Sequence, residues 1–95
     1  MDSFAEQNKL AFMTCVEIVL MRRGNTNYHA VMAKLDSLYH CSITDCYEHP
    51  EYLRTVLKQV YKEEYDSVLG DIKLELDKLV DIEKERSRFF KIMES

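Results

Sequence analysis

Apolar residues recur at three- and four-residue spacing along most of this chain, the rhythm of helices that turn one face inward. Ser3 followed by Glu6 fits a capping box, whose two side chains satisfy amides left unpaired in a first helical turn. A first helix is therefore predicted to start there and to end near Arg23, where Gly24 can take the left-handed conformation that closes a helix. Within it, Leu10, Phe12, Met13, Val16, Ile18, Val19 and Leu20 leave only a narrow stripe, Thr14 and Glu17, that favours water. One neighbour cannot cover a helix apolar on nearly all sides. It must be central in its domain or shared between subunits.

A second helix is predicted from a cap at Asn25 or Thr26 to Tyr39, carried by Tyr28, Val31, Met32, Leu35 and Leu38. The segment from Cys41 to His49 has no sustained period and reads as a structured loop, with a short helical turn from Thr44. Pro50 suits the first position of a third helix, where no amide bond is lost, and Leu53, Val56, Leu57, Val60 and Tyr61 supply its buried stripe. Lys62-Glu63-Glu64 marks a break, after which Tyr65, Val68, Leu69, Ile72, Leu76 and Leu79 define a fourth helix. Gly70 interrupts that helix at a cost of about 0.5–1 kcal/mol relative to alanine, and leaves room for another helix to approach. Beyond Val80, Glu83 and Arg86 break the seam before Phe89, Phe90, Ile92 and Met93 restore it, so residues 83–95 either extend the fourth helix or fold back.

The pattern predicts an all-α domain spanning residues 1–95, a small bundle of about four helices with a structured loop between helices 2 and 3. Composition agrees: two glycines and one proline are too few for the turns of an all-β chain. With 46% apolar and 32% charged residues, the chain is too hydrophobic for disorder and too charged for a membrane protein. Its most apolar run, Leu10 to Met21, falls short of the roughly 20 residues a membrane helix needs.

A formal net charge of -4 and scattered basic residues argue against nucleic acid, whose backbone is bound by clustered Lys and Arg. Three cysteines, Cys15, Cys41 and Cys46, do not make a secreted disulfide framework, and no signal-peptide pattern precedes the first helix. A reduced, cytoplasmic protein is expected.

A chain of this length buries only roughly 60–65% of its unfolded surface. The apolar surplus of the first helix and the tail therefore predicts association, most simply a homodimer, through Phe12, Val16, Val19, Phe89, Phe90 and Met93. Six tyrosines suit the edges of a core or an interface.

Chemistry has one candidate location. His40, Cys41, Asp45, Cys46, Glu48 and His49 fall within ten positions, and zinc favours thiolate and imidazole ligands in a tetrahedral set. Cys41, Cys46, His49 and His40 are the candidate ligands, although their spacing is not that of a finger or ribbon. The competing reading makes the two cysteines small buried hydrophobes and His49 the residue that caps the third helix. A cysteine–histidine nucleophile would also need contact, an orienting group and a depressed thiol pKa. No phosphate loop, serine elbow or His-Glu-x-x-His helix is present, and neither a catalytic residue nor a cofactor is assigned.

The stretch Ile43 to Leu53, with Val56-Leu57 and then Tyr65, Val68, Leu69 and Ile72, resembles small helical proteins of ammonia-oxidising archaea. Similar segments look like the helical output domains joined to signalling receivers in those organisms, which implies a regulatory or interaction role and no catalytic residue. The resemblance extends over Leu10 to Leu79 and is specific around Asp45 to Leu53. Lys62 departs from it, standing where a glycine would end the third helix. The expected function is a non-catalytic protein-interaction or regulatory module that self-associates; the alternative is a zinc sensor built on the Cys41–His49 loop.

Overall fold

The structure, a computed structural model, describes residues 3–95, with side chains from Gln7 onward. Five α-helices follow one another: α1 (Ser3–Arg22), α2 (Asn25–Tyr39), α3 (Pro50–Tyr61), α4 (Tyr65–Leu76) and α5 (Glu83–Met93). Short 3-10 turns at Thr44–Tyr47 and Lys62–Glu64 complete the described chain, which contains no strand. The all-helical bundle and its structured second loop stand as the periodicity predicts. The capping box proposed for Ser3 and Glu6 lies outside the described side chains.

Each boundary has a local cause. At the end of α1, Gly24 holds φ 133, a backbone that L side chains rarely adopt. His40 closes α2 at φ 53 and ψ 42, its amide donating to the carbonyl of Asp36 at 3.0 Å in a left-handed closure, while the amide of Cys41 reaches back to the carbonyl of Leu35 at 3.4 Å. Pro50 opens α3, buried and at a position that needs no amide donor. At the far end of α3, Lys62 is held at φ 52 and ψ -114, and Asp81 at φ 60 turns the chain before α5.

The greasy first helix is central. It packs against α2, α4 and the Thr44–Tyr47 turn, and α3 is flanked by α2, α4 and α5. Phe12, Met13, Val16, Val19 and Leu20 of α1 are all buried, in one cluster with Leu35, Leu53, Leu57, Val68 and Ile72. The tail folds back as α5 against α3 instead of prolonging α4. Phe89 then meets Phe12 edge to face with centroids 5.2 Å apart, and the Tyr65 hydroxyl donates to the Met93 carbonyl at 2.6 Å.

This return corrects the expected interface. Phe12, Val16, Val19, Phe89, Phe90 and Met93 are not available to a partner, because each is buried within a single chain. The two apolar segments that looked uncovered in the sequence are covered within the chain, α1 by α2, α4 and the Thr44–Tyr47 turn and α5 by α3, and they touch where Phe12 meets Phe89. No helix among the described residues is long and apolar enough to cross a membrane.

Candidate functional site

The loop after α2 gathers four potential ligands in sequence and brings the side chains of two of them, Cys41 and Cys46, into hydrogen-bond contact. His40 serves as the left-handed closure of α2 and is exposed. Cys46 is wholly buried, its thiol directed at the carbonyl of Ser42 at 3.7 Å, and burial pushes its pKa strongly up. Cys41 is half-buried, and burial raises its pKa as well. His49 precedes α3 without capping it through its side chain. Its ring instead stacks on Tyr52 at 4.7 Å, and Tyr52 stacks on Tyr39 at 4.1 Å.

Asp45 is equally committed to structure. Its carboxylate accepts from the Ser42 amide at 3.0 Å and the Ser42 hydroxyl at 3.2 Å, and these bonds, led by the amide, hold its pKa below the usual carboxylate range. Lys9 of α1 pairs with Glu48 at 3.1 Å and fastens the loop to the bundle. Among the described residues no three His, Cys, Asp or Glu side chains converge to hold a metal ion. Thiols with raised pKa values are also poor nucleophiles at neutral pH, since the thiolate is the reactive form. Cys15 belongs to the same class: buried in α1, with its pKa raised chiefly by that burial.

A different surface stands out on the outer side of α1 and α4. Arg23 donates to Asp71, Glu64 and Ser67, while Arg22 reaches Glu75 at 3.2 Å, so the end of α1 is laced along α4. Glu75 is nearly buried between Arg22 and Lys78, and hydrogen bonds from Lys78 first and then Arg22 keep its carboxyl below the ordinary range. The resulting groove is lined by Val19, Arg22, Asp71, Leu74, Glu75 and Lys78.

Leu74 projects beside that groove with 68% of its surface exposed, and Val80, in the turn after α4, is 79% exposed. Gly70, one helical turn before Leu74 on the same face, is exposed as well, and a Cβ added there would meet nothing within 4 Å. The fold therefore gives no internal reason for a glycine in mid-helix. The sequence carried a signal for this face that periodicity alone does not weigh: Leu74 is apolar yet lies off the buried stripe of Val68, Leu69, Ile72 and Leu76.

Comparison with protein families, with curated proteins and with solved structures found no match. The reading of this surface accordingly rests on its own physical chemistry.

Proposed function

We propose that this chain is a non-catalytic protein-interaction module whose contact surface is the outer face of α4 and the turn that follows it. The observation that supports this is Leu74, a large apolar side chain held mostly in water by α4 beside a groove rimmed by the charged residues Arg22, Asp71, Glu75 and Lys78. Apolar side chains fixed on a rigid scaffold and rimmed by charges are what binding surfaces use to anchor a partner. The three unpaired thiols suit a reducing compartment such as the cytoplasm.

The test is capture from a lysate of the source cells on immobilised full-length chain, beside a Leu74→Asp variant with the same helical circular dichroism. A protein retained by the first and lost by the second supports the reading. Equal retention by both removes α4 as the contact surface.

A further inference from the structure

Four charges flank Leu74 in an order that becomes complementary when read against itself backwards. Asp71 and Lys73 lie on α4, and Asp77 and Lys78 in the turn that prolongs it, where the Asp77 amide still donates to the Lys73 carbonyl and the Lys78 amide to that of Glu75. With the chain winding at about 100–120° per residue, Asp71 and Lys78 fall to one side of Leu74, and Lys73 and Asp77 to the other. When two helices pair antiparallel about a two-fold axis, each flank faces the same flank of the other copy, running in the opposite direction. With the axis next to Leu74, Asp71 comes level with Lys78 of the second copy, and Lys73 with its Asp77. These four pairs are opposite in sign; Glu75, on the Asp71 flank, comes level with Glu75 of the second copy, its charge already offset within its own chain by Arg22 and Lys78. The same register sets the two Leu74 side chains against one another and brings Gly70 level with the turn that carries Val80 of the other copy.

Taken with the exposed glycine that nothing within the chain requires, we infer that the occupant of this face is a second copy of the chain, bound through antiparallel α4–α4 pairing centred on Leu74. The inference rests on the interaction-module reading and specifies its partner. Gly70 gains a purpose, since a missing side chain lets a facing element approach closely. The four charges also have partners inside the chain, Arg23 for Asp71, Glu75 for Lys78, Glu94 for Lys73 and Arg86 for Asp77. Exposed pairs of this kind add little energy, so their contribution is to fix direction and register. α4 is 12 residues long, about 18 Å, and so short a contact gives a weak, concentration-dependent dimer.

Sedimentation equilibrium of the full chain from about 5 to 500 μM is the test, covering the dissociation constants expected of a small interface. The expected result is reversible association from 11.3 kDa to twice that mass. Gly70→Leu and Leu74→Asp should each raise the dissociation constant about tenfold or more, with circular dichroism unchanged because both positions face solvent. Lys78→Glu and Asp71→Lys should each weaken self-association, and mixing these two variants should restore it, because only the mixed antiparallel dimer opposes unlike charges on that flank.

A chain that stays at monomer mass throughout overturns the inference, as does a dimer indifferent to Gly70→Leu and Leu74→Asp, or a mixture no tighter than its components. A monomer that still captures a protein in a Leu74-dependent way removes the second copy and leaves the wider reading standing. Failure of both measurements removes both.

Discussion

The hydroxyl of Tyr65, at the first position of α4, donates a 2.6 Å hydrogen bond to the carbonyl of Met93, 28 residues later in the last turn of α5. A helix end leaves its final carbonyls without partners, and this buried bond satisfies one of them while anchoring the returning tail. Tyr61, four residues earlier, is a control of the same chemistry: its hydroxyl is buried and no protein group accepts from it.

Tyr65→Phe should therefore cost about 1 kcal/mol, whereas Tyr61→Phe, which removes a buried hydroxyl that has no partner, should stabilise the fold by about 1 kcal/mol. Urea unfolding followed by circular dichroism measures both. The Tyr65 bond also predicts an alkaline limb. Burial pushes its pKa from 10.0 up to about 12, so the folded state favours the neutral phenol. That stability is fully present below the unfolded pKa near 10 and is lost as pH rises from there through about 12. Loss of up to about 2 kcal/mol across that window is expected in the parent and should be smaller in Tyr65→Phe. Equal alkaline limbs in the two proteins would disprove the assignment.

The turn between α3 and α4 stores strain in a residue ill suited to it. Lys62 sits at φ 52 and ψ -114, outside the regions open to L side chains, where only glycine is comfortable. Lys62→Gly should stabilise the fold by about 1 kcal/mol, the relieved strain outweighing the added freedom of the unfolded chain. The reverse experiment is Gly24→Ala, where φ 133 must be kept to join α1 to α2, and a loss of about 1 kcal/mol or more is expected. Thermal melts of the two variants should move in opposite directions.

These turns mark the limit of what the sequence makes legible. The stripes of α2, α3 and α4 are readable because burial enforces the helical period, and Pro50 and Gly24 announce their boundaries. The reversal at Asp81 is not readable, because aspartate is only an occasional occupant of φ 60 and nothing nearby resembles a glycine closure. The sequence leaves open whether the tail extends the fourth helix or folds back, so Phe89 and Phe90 look like interface residues; in the fold both are buried, Phe89 against Phe12 and Phe90 against Phe89. The loop ligands misled for a similar reason. Proximity in sequence says little about convergence when one residue caps a helix and another is wholly buried.

Glu75 joins α1 to α4 through charge, and its pKa displacement is downward, so its contribution runs opposite to that of Tyr65 in pH. The stability it supplies is present above the unfolded carboxyl value of 4.5 and is lost as pH falls through the lower folded value. Glu75→Gln should lower stability at neutral pH and flatten the acid limb. Arg22→Gln should produce a milder version, because Lys78 still donates to both carboxylate oxygens. Unfolding monitored from pH 7 to pH 2 tests the order; an unchanged acid limb in Glu75→Gln would show that the pair contributes nothing.

The cysteines supply a final prediction, in which burial and ionisation act in the same direction. Alkylation requires a thiolate that a reagent can reach, and both requirements fail at Cys46, which has no exposed surface and a strongly raised pKa. Cys15 is buried with a raised pKa, and Cys41 is half-buried with its own pKa raised. Iodoacetamide at neutral pH should therefore modify native Cys41 slowly and leave Cys15 and Cys46 protected until the bundle unfolds, the order being read by mass spectrometry. Cys46→Ala should cost about 1–2 kcal/mol through the packing lost beneath the Thr44–Tyr47 turn. Rapid labelling of native Cys46 would contradict the burial and restore a thiol chemistry to this loop, because a reactive thiolate there would need a positive neighbour that the surrounding Asp45, Glu51 and Cys41 do not provide.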